Sequence, residues 1–131
     1  MVLTPGGMCP GHFDMSPAVL RHAEGADLFL RHEWERWVAD TARRLTGADA
    51  VPVVAAGNWM VPERNLAAAA AVRDALARAD PAGSATYRRN YAAYRSTLER
   101  LVRWLDREAA AFRNVPVAAA AQQREFLERL G

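Results

Sequence analysis

The sequence predicts an α/β fold, a single parallel-sheet lobe with flanking helices plus one long helix, and three observations predict it. Two short apolar runs, ADLFLR and VPVVAAG, each sit between stretches of helical periodicity. Apolar strands alternating with helices imply a parallel sheet with helical crossovers. The third observation is ATYRRNYAAYRSTLERLVRWLDREAAAFRN, where Tyr87, Tyr91, Tyr94, Leu98, Leu101, Leu105 and Phe112 recur at helical spacing with Glu108 as the one polar member. Such a helix reaches about 40 Å, long for a chain of 131 residues. The alternative is an all-α helical bundle. It follows if ADLFLR is helical, with Leu30, Trp34, Val38, Thr41 and Leu45 on one face. Periodicity alone leaves both open.

The elements follow in order. Ser16-Pro17 is a helix start, with Ser as N-cap and Pro in the first turn, and this helix should run through Arg21 and stop at Gly25. ADLFLR is then the first strand, and a helix beginning near His32 closes at Gly47. Val51, Val53 and Val54 favour extended structure, with Pro52 at the beginning or edge of that strand and Gly57 at its end. Pro62 opens ERNLAAAAAVRDALARA, whose expected buried face is Leu66, Ala69, Val72, Leu76 and Ala79. DPAGS is a loop with Ser84 as cap of the long helix, which Val115-Pro116 ends. VPVAAA is a candidate third strand, and QQREFLERL a final amphipathic helix.

Composition narrows the function classes. All 17 basic residues are arginine, yet the net charge is only +2 and the arginines alternate with acids, the pattern of a solvated surface rather than a nucleic-acid face. Cys9 is the only cysteine, so no intrachain disulfide forms. No apolar run approaches the length of a membrane span. MVLTPGG lacks the basic and apolar regions of a signal peptide, so the chain as written would stay in the cytosol. There is no Ser-His-Asp order, Gly-rich phosphate loop or HExxH, which argues against an enzyme.

The chemistry concentrates in GGMCPGHFDMSP. Cys9 and His12 have C-x-x-H spacing, close enough to chelate one ion from one loop, and Asp14 follows. Zinc takes four N, S or O ligands in a tetrahedron, thiolate and imidazole among the best. His32, at the end of ADLFLR, is a third candidate and Glu33 adjoins it, because ligands gather at the carboxyl ends of strands in such sheets. Met8 and Met15 suit a softer metal such as Cu(I). Plainer readings stand beside these. Cys9-Pro10-Gly11 is a turn with a small buried thiol, His32 caps a strand–helix junction, His22 is surface, and Trp59 is a packing anchor. The tyrosine stripe is the buried seam of the long helix.

In order, CPGHFDMSP, ADLFLRHEWERW, VPVVAAG, NWMVPERN, VRDALARADPAGS and ATYRRNYAAYRSTLERL form a recognisable set. The chain resembles the metal-binding solute receptors of ABC transporters, the zinc and manganese group in which two α/β lobes are joined by one rigid helix. That family carries D-P-H-x-[YF]-[ED]-x-[ST]-P before a helix, an Ala-Asp-Leu strand, a Trp-x-x-Pro segment, and an Ala-rich helix ending D-P-A before a Tyr-rich linking helix. The resemblance implies that ADLFLR is a strand, that 1–83 is a partial N-terminal lobe, that 84–114 is the linking helix and that 115–131 starts a second lobe. It implies a part of the family's full length. It also implies a non-enzymatic solute-binding component for a metal ion or metal chelate. A permease would be its partner, in an extracytoplasmic, periplasmic or cell-surface setting.

Residue by residue, Cys9 stands at the family's aspartate, Gly11 at its first histidine with His12 one place on, Gly57 and Asn58 near its second, and Ala120-Ala121-Gln122 at its third. The expected metal ligands are therefore Cys9, His12 and His32, with Asp14, Glu33, Asn58 and Trp59 as additional site residues. The expected metal is zinc or manganese. The competing expectation is a non-catalytic helical interaction module that forms a homo-oligomer through the long helix.

Overall fold

The computed structural model describes residues 17–24, 26–33, 35, 40, 52–55 and 57–131. The described chain is mostly helical. It runs α1 (Pro17–Ala23), β1 (Phe29–His32), β2 (Pro52–Ala55), α2 (Pro62–Ala79), α3 (Ser84–Ala109) and α4 (Arg124–Leu130), with short 3-10 turns at Ala110–Phe112 and Ala121–Gln123. β1 and β2 pair as two strands. The chain divides into two compact units, 1–53 and 54–131, with the boundary inside β2. Among the described residues no helix is long and apolar enough to cross a membrane.

In the first unit, α1 ends at Ala23, whose carbonyl accepts the Ala26 N–H at 3.1 Å, and Ala23 is fully buried. The Ser16 cap and the Gly25 stop lie outside the described residues. β1 occupies the second half of the expected strand and one residue beyond it. Phe29 is buried while Leu30 is half exposed, the alternation of a strand with one covered face. This removes the helical alternative for Phe29–His32. The rest of that alternative's face, Trp34 to Leu45, lies outside the described residues, as does the helix expected to close at Gly47.

The second unit is built on α2 packed along α3. Pro62 stands at the first turn of α2, where its missing N–H costs nothing, and Glu63 and Arg78 match the helix dipole at the two ends. Its most buried residues are Pro62, Ala68 and Ala75, with Val61 buried just before it. The expected face was rotated from these. Leu66, Ala69, Val72 and Leu76 are half-buried and Ala79 is exposed. Ala68 and Ala75, two turns apart, form the covered line because a methyl side chain is submerged by any close neighbour, whereas longer residues at its margins keep an exposed edge.

The long helix begins one residue earlier than a Ser84 cap would require. Gly83 is the N-cap and makes no side-chain cap bond. Asp80 instead closes the turn before the helix and ties it to the first turn, accepting the Gly83 N–H at 3.1 Å on Oδ1 and the Tyr87 hydroxyl at 2.7 Å on Oδ2. A Cβ at Gly83 would collide with the Asp80 carboxylate and come within 2.8 Å of the Tyr87 ring, so glycine is required by close approach. α3 has 26 residues against 18 in α2, and the mismatch decides its burial. Leu98 is its one buried residue, Tyr87, Tyr91 and Leu105 are half-buried, and Leu101 and Phe112 remain 44% and 71% exposed.

The helix stops at Ala109, short of the expected Asn114. Asn114 adopts φ +62, a left-handed conformation that asparagine tolerates, and its N–H donates to the Gly131 carbonyl at 2.8 Å. The expected third strand at VPVAAA does not form. Residues 115–120 are irregular, with Val115 and Val117 51% and 65% exposed. A strand needs a ladder partner, and Pro116 has no N–H to offer one. The final helix is present at Arg124–Leu130, preceded by a 3-10 turn where the first glutamines were expected to be helical.

Two outcomes follow from this packing. Leu98→Ala should cost about 2–3 kcal/mol in urea unfolding, and Leu101→Ala under about 1 kcal/mol; equal costs would contradict the burial described. The Asp80–Tyr87 bond sets a pH window. It holds the Asp80 carboxyl below its ordinary range and raises the Tyr87 hydroxyl above its own. A depressed carboxylate contributes stability above about pH 4 and loses it as pH falls through the folded value; a raised phenol contributes below about pH 10 and loses it above. The stability difference between wild type and Asp80→Asn should therefore be flat at neutral pH and shrink on both flanks.

Candidate functional site

The first unit contributes His32 and Glu33. β1 ends at His32, which is half-buried. Its backbone closes a tight turn: the His32 N–H donates to the Glu35 carboxylate at 2.7 Å, and the His32 carbonyl accepts the Glu35 N–H at 3.1 Å. The Arg31 guanidinium donates to the carbonyls of His32 and Glu33 at 3.0 and 3.3 Å. A cation and an anion thus bracket the peptide groups of the strand end, and the exposed Glu33 carboxylate follows directly. Cys9, His12 and Asp14 lie outside the described residues. Among the described residues no group of three or more His, Cys, Asp or Glu side chains stands together as a metal site.

The second unit contributes the turn after β2, Gly57 to Met60. Gly57 has φ +82, and a Cβ there would meet the Arg64 side chain at 3.0 Å. Asn58 uses both ends of its amide. Nδ2 donates to the Gln122 carbonyl at 2.7 Å, 64 residues away, and Oδ1 accepts the Met60 N–H at 2.9 Å. Its carbonyl accepts the Val61 N–H at 3.0 Å. Asn58, singled out as a site residue, therefore staples the turn to the segment before α4. Trp59 is half-buried. Its carbonyl accepts the Asn65 amide at 3.0 Å, and Asn65 Oδ1 in turn accepts the Tyr94 hydroxyl at 2.5 Å.

Between α2 and α3 lies an apolar groove of about 360 Å³, lined by Trp59, Ala68, Val72, Leu76 and the three tyrosines Tyr87, Tyr91 and Tyr94. The Arg73 guanidinium stacks over the Tyr91 ring at 4.5 Å while pairing with Asp74 at 2.7 Å. Tyr87 and Tyr94 bind Asp80 and Asn65 through their hydroxyls, which leaves their rings to line the groove. Below it, Arg129 of α4 reaches Asp106 at 2.7 Å and Glu63 at 3.1 Å, and Arg64 meets Glu125 at 3.1 Å. The Arg129 hydrogen bond holds the Asp106 carboxyl below its ordinary range.

The tyrosine stripe was legible as a seam but not as a set of polar handles. Asn65 went unremarked. Its signal was a lone amide at the head of LAAAAAV, where nothing but packing is otherwise asked of the helix.

Residues 1–129 match the family model of ZnuA, described as zinc-uptake complex component A periplasmic. No curated protein and no solved structure matches the chain.

The geometry of the turn makes a separate prediction. Gly57→Ala forces a side chain into a left-handed conformation and against Arg64, and should destabilise the chain by about 1 kcal/mol in urea unfolding. A variant as stable as wild type would contradict the conformation assigned to the turn.

Proposed function

Because the chain belongs to the ZnuA family of periplasmic zinc-uptake components, we propose that it is a solute-binding component of an ABC transporter for a metal ion or metal chelate, working by binding rather than catalysis. The family match across residues 1–129 is the observation that carries this reading. In it the zinc ion is cargo. Cys9 and His12 chelate it from one loop, and His32 joins them from the end of β1, the side of a strand where ligands gather in α/β folds. Asp14 and Glu33 offer oxygen for a fourth position. A permease receives the cargo, and the protein works outside the cytoplasmic membrane. Residues 1–83 then act as a partial N-terminal α/β lobe with a parallel sheet, 84–114 as the linking helix and 115–131 as the start of a second lobe.

The chemistry of the donors sets how such capture behaves. A thiol must lose its proton and an imidazole must be neutral to bind zinc, so uptake releases protons and weakens in acid. By the resemblance Gly57 and Asn58 stand near the family's second histidine, and neither carries a soft donor, which favours a partly chelated cargo.

A second reading has its own support. Leu101 and Trp104 are 44% and 48% exposed, and Phe112 is more exposed still, all on or just beyond the far half of α3. Apolar side chains in that number suit a helical interaction module that oligomerises through α3.

Elemental analysis of the chain purified without chelator decides between them. The transport reading predicts close to one zinc per chain, lost in Cys9→Ser/His12→Ala. Metal-free protein that sediments as a dimer would replace it with the second reading.

A further inference from the structure

We propose that the groove between α2 and α3 is a binding site for a small planar aromatic carboxylate. It uses none of the metal donors proposed above, so it stands whether or not the chain takes up zinc.

The walls select the shape. Tyr87, Tyr91 and Tyr94 stand at steps of four and three along one face of α3, and on the α2 side the groove is lined by the short side chains of Ala68, Ala69 and Val72. The opening of about 360 Å³ lies in the range of small-molecule pockets. It holds one or two fused rings rather than a peptide helix, which is about 10 Å across. Two of the ring hydroxyls are tied back, Tyr87 on Asp80 and Tyr94 on Asn65, and this fixes how those rings face. Rings set in place beforehand leave little ordering to be done on binding. Flat aromatic walls with methyl groups opposite favour another flat ring.

Charge selects the substituent. A cluster of tyrosines and a tryptophan ordinarily suits a cation, but here the protein supplies its own. The Arg73 guanidinium lies over the Tyr91 ring at 4.5 Å, and among the described residues Arg73 is the one charged side chain lining the groove. The acids next to it in these helices and their loop are engaged. Asp80 holds the Gly83 N–H and the Tyr87 hydroxyl, and Asp74 pairs with Arg73. Both Arg73 contacts, from Nε at 2.8 Å and Nη2 at 2.7 Å, fall on Asp74 Oδ1. They leave Nη1 for a further carboxylate. Asp74 is half exposed, so that pair is solvated and a weak competitor. Two more groups lining the groove, the Asn90 amide and the Tyr91 hydroxyl, make no side-chain hydrogen bond with another described residue. Each has a donor to offer a carboxylate oxygen. A second cation would meet Arg73 and be repelled, whereas an aromatic anion finds a stacking wall and three donors.

The test uses the whole chain with its alanine and valine methyls labelled with carbon-13. Sodium 1-naphthoate is titrated in, and 1-naphthylmethylammonium chloride, close to it in shape and opposite in charge, is titrated in parallel. Naphthoate should shift the methyl signals of Ala68, Ala69 and Val72 through its ring current, leave Val115 and Val117 unmoved, and bind about tenfold tighter than the cation. Arg73→Gln should raise the naphthoate Kd about tenfold, the effect of one charge-assisted hydrogen bond, and should not weaken the cation. Tyr91→Leu, which keeps Arg73 and removes a ring, should weaken both. The proposal is overturned by unmoved groove methyls, by equal affinity for the two charges, or by an Arg73→Gln chain that binds naphthoate as wild type does. Groove methyls that shift with protein concentration and exclude naphthoate also overturn it, since a second copy then fills the groove.

Discussion

A helix of 26 residues laid against one of 18 has more apolar face than its neighbour can cover, and the second unit is organised around that mismatch. Burial is concentrated at Leu98, Ala68 and Ala75. Everywhere else along α3 the helix is held by discrete polar ties: Tyr87 to Asp80 at its start, Tyr94 to Asn65 further along, and Asp106 to Arg129 toward its end. Each tie is exposed or nearly so, and bonds of that kind contribute on the order of 1 kcal/mol apiece. They set the register of α3 more than they set its stability. The strength of the unit comes from the small-residue contact, and its geometry from the ties.

The same economy explains the turn after β2. Its polar groups hold the chain together. Both ends of the Asn58 amide are engaged, and the Trp59 carbonyl is engaged by Asn65. A turn closed in this way presents a fixed surface. The soft donors of the proposed function, Cys9 and His12 with His32, lie earlier in the sequence than this turn.

How much of this was legible depended on whether a feature was local. Pro62 opened α2 where a proline at a first turn should, and the α3 stripe announced a helix without help from the fold. β1 was legible as an apolar run but not in its bounds, because Leu28 and Phe29 are equally apolar and only the fold decides which enters the ladder. The buried face of α2 was misjudged for a physical reason: hydrophobic periodicity weights leucine and valine, while depth of burial in a close helix contact selects alanine. VPVAAA has strand composition and no partner strand, and composition carries no information about partners. The Asn65 link joins positions 59, 65 and 94, and the Asn58 link joins 58 and 122. Spacings of that length have no sequence period. The metal loop is the converse case, since Cys9, His12 and Asp14 were visible only as sequence and lie outside the described residues.

The central claim is that this chain captures a transition-metal cargo with a thiolate and imidazoles, and a calorimetric zinc titration in buffers of different ionisation enthalpy tests it most directly. The account predicts a saturable one-to-one binding heat whose dependence on buffer reveals about one proton released per zinc near neutral pH, as the Cys9 thiol ionises. Absence of saturable heat at any accessible zinc concentration, or binding that survives unchanged when Cys9 and His12 are both replaced, would contradict it.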